Sequence, residues 1–381
     1  MINSALYDLG DNGGYKVMIE IINPSSQGGV NGEGGGEKAS LLALREGESL
    51  PESVRNVAES VERTVYAGHV QVRFFSEKLA RKNIGSIMDY LLRDTLTDEN
   101  AFFVVIRDED PGQIYKGIRG MSDAVGDYIL SLSEAQPGTL SEAVFVKTID
   151  FTKDCYTEGK QPVAGVAELV EYEAEAYVKK DSVKDKSKDS QNSEGSKEKE
   201  YRIAYRGLAA FKDEKLAGYF DGDEARAYNF ITDNIGSAVI TTGEEDSQSV
   251  FIVQNSKAKI TTETDNDQIT VNTAIKISLN MVQQNGAFDI NKSEELKKIE
   301  DAVNKQISEE IAGAIKKAQT DFRSDIFGFG VSMHKQHPEK WEEIKENWDD
   351  FFSGAEINVS VESTIDRMGE LKHPFRREVG A

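Results

Sequence analysis

The chain has 381 residues, 38% of them hydrophobic, with 45 basic against 67 acidic side chains and a formal net charge of −22. That length exceeds one ordinary core and predicts two or three domains of about 100–200 residues each. The charge argues against nucleic acid as a partner, since phosphate binding needs basic patches, and it opposes adsorption to an anionic membrane surface.

Met1 is followed by Ile2-Asn3-Ser4-Ala5, with neither the basic start nor the apolar stretch of a signal peptide, which taken alone reads as cytoplasmic. The turn signal Asp11-Asn12-Gly13-Gly14 before the β-rich run Tyr15 to Ile22 predicts an opening β-hairpin. Its apolar patches, Val17-Met18-Ile19 and Ile21-Ile22, are strand-sized, far below the roughly 18–20 residues of a spanning helix. Pro24 to Glu37 holds six glycines between Gly28 and Gly36. They are irregularly spaced and no G-K-[ST] follows, so a mobile hairpin loop is expected rather than a phosphate cradle.

Residues Pro51 to Arg63 predict a helix, with proline in the first turn and Val54, Val57, Ala58 and Val61 in a stripe. A strand over Gly68 to Phe75, a helix carrying Ile84, Ile87, Met88, Leu91 and Leu92, and a buried strand over Ala101 to Ile106 follow. That alternation implies a sheet covered by helices. A further helix is expected from about Asp123 to Leu132. Strands are expected at Val163 to Tyr177 and Tyr201 to Phe211. Between them Lys179 to Glu200 has only Val183 as a sizeable apolar residue. It reads as a disordered insert on a hairpin, because it has too little apolar surface to offset its ordering entropy.

After the turn at Asp265-Asn266-Asp267, the odd positions Ile269, Val271, Thr273, Ile275, Ile277, Leu279 and Met281 predict a long strand with one buried face. Ser293 is expected to cap a helix whose stripe is Leu296, Ile299, Val303, Ile307, Ile311, Ile315, Ala318 and Phe322. So many steps of four drift off a heptad seam, which favours packing across a sheet over a coiled coil. A shorter helix with Trp341, Ile344, Trp348 and Phe351 and a closing strand over Ile357, Val359, Val361 and Ile365 complete the chain. The expected class is α+β in three domains, each a mainly antiparallel or mixed sheet packed with helices. The domains are 1–155, a small middle domain 156–245 carrying the insert 179–200, and 246–381 with the long helix 293–322.

Candidate chemistry is thin. His334 and His337 lie three apart near Glu339, without the further ligands a metal needs, and read as solvated or capping side chains. Asp8 to Gly13 superficially resembles a calcium loop, but position three is Gly10 and position twelve is Ile19. Asp221-Gly222-Asp223-Glu224 is a carboxylate cluster in which Asp221 or Asp223 is better used as a helix N-cap, with Glu224 in the first turn. His69 has no nucleophile motif beside it and reads as a hydrogen-bonded structural histidine. Cys155, the one cysteine, excludes an intrachain disulfide and is expected to be a small, partly buried hydrophobe.

The most distinctive segment is Ser324-Asp325-Ile326-Phe327-Gly328-Phe329-Gly330, followed by Trp341 and Trp348-Asp349. With Tyr15 to Pro24, Tyr66-Ala67-Gly68-His69-Val70-Gln71-Val72, Leu92-Arg93-Asp94, Gly207-Leu208-Ala209-Ala210-Phe211-Lys212, Leu216-Ala217-Gly218-Tyr219 and Glu224-Ala225-Arg226 it resembles, in order along the whole chain, the Ger(x)C family. These are the lipoprotein C subunits of the nutrient-germinant receptors of bacterial endospores. The resemblance implies a non-enzymatic protein without cofactors on the outer face of the spore inner membrane. Its implied partners are the integral-membrane A and B subunits of the receptor and the membrane itself, through a lipid anchor on a cysteine before Met1. Met1 would then begin a chain trimmed of its leader, and Cys155 does not match the anchor. Direct capture of a small-molecule nutrient is the alternative. The residues carried over as structural or interface positions are Gly68, His69, Gln71, Gly207, Asp325, Phe327, Gly328, Phe329, Gly330, Trp341 and Trp348. Gly328 and Gly330, set between aromatics, are expected where a Cβ would strain the backbone or clash.

Overall fold

The computed structural model describes residues 1–22, 40–58, 68–94, 97–118, 120–135, 141–171, 200–243, 248–265, 268–285 and 292–367. The glycine-rich stretch, the far end of the first expected helix, Tyr66-Ala67, Asn266-Asp267 and the insert up to 199 lie outside the described residues.

The first half builds β1 (Ile2–Leu9), β2 (Tyr15–Ile22), β3 (Ser40–Gly47), α1 (Leu50–Ala58), β4 (Val72–Ser76), α2 (Glu77–Lys82), α3 (Gly85–Arg93), β5 (Phe102–Ile106), α4 (Val125–Ala135) and α5 (Thr148–Cys155). β1 and β2 form the expected hairpin, with Leu9 opposite Tyr15. The strand expected from Gly68 starts only at Val72, since Gly68 and His69 form a turn. α2 was not legible as periodicity: it is a six-residue helix started by the Ser76 hydroxyl, which accepts from the Leu79 N–H at 3.2 Å.

β6 (Val163–Glu171), β7 (Tyr201–Lys212) and β8 (Lys215–Phe220) follow, then α6 (Gly222–Ile231) and β9 (Val239–Thr242). β6 and β7 pair antiparallel, so the charged insert connects two adjacent strands. These strands build no third sheet. β6 pairs in parallel with β5, and the first sheet runs β3-β2-β1-β4-β5-β6-β7-β8, while β9 joins the second sheet. The reason is burial: every residue of β5 is buried, so that strand needs a covered neighbour on each side, and β4 and β6 supply them. Helices cover both faces. Phe75, Phe103 and Phe151 stack on the face of α1, α2, α3 and α5, and Phe74, Val104 and Ile129 pack on that of α4.

The second sheet runs β12-β11-β10-β9, with β10 (Ser249–Asp265), β11 (Gln268–Gln284) and β12 (Glu356–Arg367). The odd positions of β11 from Ile269 to Met281 are all buried, as the alternation predicts. α7 (Ser293–Lys317) packs its stripe of Ile299, Val303, Ile307, Ile311 and Ile315 into the core under β11 and β12. Two of its side chains reach the edge strand: Asn304 Oδ1 accepts from the Ser363 N–H at 2.8 Å and Glu300 Oε1 from the Ile365 N–H at 3.1 Å. An edge with satisfied N–H groups is a poorer template for further strands. Ser293 is not the cap; the cap position falls on Lys292, which makes no side-chain cap bond, and Glu294 and Glu295 complement the helix dipole instead.

The long stripe reaches Phe322 through a change of geometry. Residues Ala318–Phe322 form a π-turn, closed by Arg323 at φ +49°. The wider turn buries Gln319, whose amide donates to the carbonyls of Phe352 at 2.8 Å and Ala355 at 3.0 Å. Beyond it come α8 (Phe329–Gln336), α9 (Pro338–Ile344) and α10 (Trp348–Gly354). The single expected helix is two, split by a 3-10 turn at Lys345–Asn347, so Phe352 is buried and Phe351 is only half-buried.

The capping expected at α6 is realised in full: Asp221 Oδ1 accepts from the Glu224 N–H at 2.9 Å and Glu224 Oε2 accepts from the Asp221 N–H at 2.8 Å. Asp221→Ala is expected to cost about 1 kcal/mol in a denaturant melt. A change below a few tenths would mean that tertiary contacts, not the cap, hold that end.

Candidate functional site

Two of the pieces that flank the signature come from the first sheet. The loop after α5 carries Glu158, Gly159, Lys160 and Gln161, and β7 ends at Phe211-Lys212. The Ser324 hydroxyl donates to the Phe211 carbonyl at 2.6 Å, and the Gln161 N–H donates to the Asp325 carbonyl at 2.8 Å. Lys212 donates to the Arg323 carbonyl at 3.1 Å and pairs with Asp349 at 2.8 Å. The signature is therefore a joint between the first sheet and the C-terminal helices.

Asp325 is its centre. Its side chain is fully buried. Oδ1 accepts from the N–H groups of Gly328 at 2.9 Å and Phe329 at 3.2 Å, and Oδ2 from the Gly330 N–H at 2.8 Å and Trp348 Nε1 at 3.0 Å. The carboxylate thus supplies the acceptor that the first N–H groups of α8 need and ties α10 to the same point. Burial pushes its pKa up to about 6, against the pull of these donors.

The two glycines meet different constraints. Gly328 sits at φ +79° with no close neighbour for a Cβ, so there it is the backbone that requires glycine. At Gly330 a Cβ would lie 2.6 Å from Gly159 Cα and 2.7 Å from Trp348 Nε1, so space is the constraint. The aromatics of the signature are buried and pack in two groups. Phe327 lies 5.4 Å from Phe329, Phe329 lies 6.3 Å from Phe352, and Trp341 lies 5.3 Å from Trp348. Trp341 Nε1 donates to Glu158 at 3.3 Å.

The structure thus brings together Asp325, Phe327, Gly328, Phe329, Gly330, Trp341 and Trp348. Gly68, His69 and Gln71 lie in the turn and short link that precede β4, a strand three places from β7 in the sheet order. There the backbone of Gln71 bridges its neighbours, its N–H donating to Asn3 and its carbonyl accepting from Phe102, both at 2.8 Å. His69 is exposed. Gly207, at φ +82°, would put a Cβ 2.3 Å from the Phe220 carbonyl oxygen. His334 stacks on Trp341 at 5.5 Å, and His337 Nε2 lies 2.7 Å from the Thr262 carbonyl. Cys155 is exposed, not partly buried, at the end of its helix. Sequence reading missed Gly159 and Gln161, whose signal was no more than a turn between two elements.

Comparison with known proteins identifies this joint's lineage. Residues 1–169 match the description "Spore germination protein N-terminal domain", and residues 206–369 match "Spore germination B3/ GerAC like, C-terminal". The chain belongs to the GerAC-like spore germination family. The relatives of this GerAC-like chain include spore germination protein KC of Bacillus subtilis (strain 168), 24% identical over 99% of this chain and 91% of that one. Spore germination protein B3 of the same organism is 20% identical over 94% and 88%. GerQC of Bacillus cereus is 19% identical over 93% and 91%. The crystal structure of the GerBC protein shares the fold, with a TM-score of 0.57 at 18% identity over 95% of this chain and 96% of that one.

Proposed function

We propose that this GerAC-like protein is the lipid-anchored C subunit of a nutrient-germinant receptor. It acts without catalysis, at the outer face of the spore inner membrane, by assembling with the integral-membrane A and B subunits. The observation that carries this reading is where the signature's chemistry goes. Asp325, the carboxyl group raised furthest toward neutrality among the described residues, directs both oxygens to donors of its own chain. A group so engaged is a structural hub, where a general acid or base would face a substrate. Gly328, Gly330, Trp341 and Trp348 support the same joint, so the family's most distinctive residues keep a rigid body for others to dock on. An anchor fits the physics of a chain of −22, which would not stay at an anionic surface unaided, and it raises local concentration so that weak interfaces suffice. No described helix is long and apolar enough to cross a membrane.

The test is nutrient-triggered germination of spores lacking this gene, complemented with the full-length form or with one whose lipobox cysteine is replaced. Loss of response to particular nutrients, restored only by the anchored form, is the expected result. Equal rescue by the unanchored form would overturn the tethered mechanism.

A further inference from the structure

A cavity of about 280 Å³ opens between the segment 141–146 and α6 with the turn after it. Its described lining is Ser141, Ala143, Val144, Phe145, Val146, Tyr228, Asn229 and Asn234, none of them charged. Glu142, which lies between two of these residues, turns instead to ion pairs with Arg206 at 2.9 Å and Arg226 at 3.5 Å. Asn229 is buried, and its Nδ2 donates to the carbonyls of Ser141 at 2.8 Å and Ala143 at 3.0 Å. With both of its N–H bonds used, the amide is locked in orientation, and Oδ1 is an acceptor without a partner among the described residues. Ser141, one of the lining residues, is a non-glycine residue with left-handed backbone, at φ +53°. Ser141 is held there by its hydroxyl, which donates to the Ser237 carbonyl at 2.6 Å. Strain of this kind persists only where the surroundings over-determine it, and it concentrates at binding sites.

We propose that this cavity binds a small uncharged molecule, one that presents an N–H or O–H to Asn229 Oδ1 and lays an apolar face against Phe145, Val144 and Val146. The volume approaches the lower end of small-ligand sites, and the lining has their composition, mostly apolar with a few fixed polar atoms. An anion or cation entering it would lose hydration and find no counter-charge. The inference does not rest on the assembly role proposed above.

Benzamide and benzoate make the decisive pair, since they share a ring and differ in charge and in the donor. Titration of the full chain with each, followed through the methyl signals of Ala143, Val144 and Val146 by NMR, is expected to give saturable shifts with benzamide at concentrations on the order of 1 mM. Benzoate is expected to bind at least about tenfold more weakly. Val146→Phe, which fills the cavity from a half-buried position, should abolish the shifts. The proposal is overturned if benzamide, phenol and glucose all leave these methyls unmoved, if benzoate matches benzamide, or if the shifts fall elsewhere. Undiminished binding in a folded Val146→Phe variant would also overturn it. Should that variant not fold, the map on the unaltered chain decides alone.

Discussion

Asp325→Ala is expected to cost about 5 kcal/mol of folding stability, as a fall in the denaturant midpoint. The substitution leaves the N–H groups of Gly328, Phe329 and Gly330 and the indole of Trp348 with no acceptor in a region from which water is excluded. A buried donor left unpaired costs about 1–3 kcal/mol, more when its lost partner was charged. Asp325→Asn would recover only part of this, since the one carbonyl oxygen of an amide replaces one acceptor and its NH2 would face the remaining donors. A cost below about 1.5 kcal/mol for the alanine variant would sink the view of Asp325 as the hub of the joint, because not even one lost charged acceptor would then be expressed.

The same residue makes a pH prediction whose sign is fixed by its raised value. In the folded protein the carboxyl titrates at about 6, against 3.8 for an unperturbed one. Between those values the folded chain holds a proton that the unfolded chain releases. Acidification through that window therefore stabilises the unaltered protein relative to Asp325→Asn, by roughly 1.4 kcal/mol per pH unit. Above pH 6 the two stability curves should run parallel. Curves parallel throughout pH 4–7 would show that the donors, not burial, set the titration.

The second large effect is expected at Gly330. A Cβ there meets backbone on one side, Gly159 Cα at 2.6 Å and its carbonyl oxygen at 2.7 Å, and the Trp348 indole on the other. Neither is the free end of a flexible side chain. Gly330→Ala must push the loop after α5 away from α8 and loosen the bonds at Asp325, with an expected cost of about 3 kcal/mol or more. Gly328→Ala is the control, because a Cβ there finds no atom nearer than Lys160 Cδ at 3.5 Å and pays only for its left-handed backbone, about 1–2 kcal/mol. Gly328→Val should lower the melting temperature further, since a β-branched residue tolerates that conformation less well. If Gly330→Ala melts no lower than Gly328→Ala, the close approach of the two glycines is not what the joint depends on.

How far the sequence reaches is visible in particular elements. β11 and α7 could be read directly, because a buried face repeats every two residues in one and every three or four in the other. The capping box at Asp221 and Glu224 was legible for the same reason: all its atoms lie within one turn. α2 escaped because six residues carry too little periodicity, and the break between α9 and α10 escaped because a short 3-10 turn changes phase without changing composition. The signature itself was conspicuous, and the need for glycine at Gly328 could be expected from its aromatic neighbours.

What the sequence by itself determined is the local alphabet: which segments are strands, which are helices, where turns fall, and which motif marks the family. Tertiary structure alone decided that β6 to β8 extend the first sheet, that Asp325 gathers donors from two helices, and that Gly330 answers Gly159. Periodicity and turn chemistry act over a few residues, so they are written along the chain. Sheet neighbours and close approaches join residues far apart in it, and they exist only once the competing ways of burying the same apolar faces have been resolved by packing.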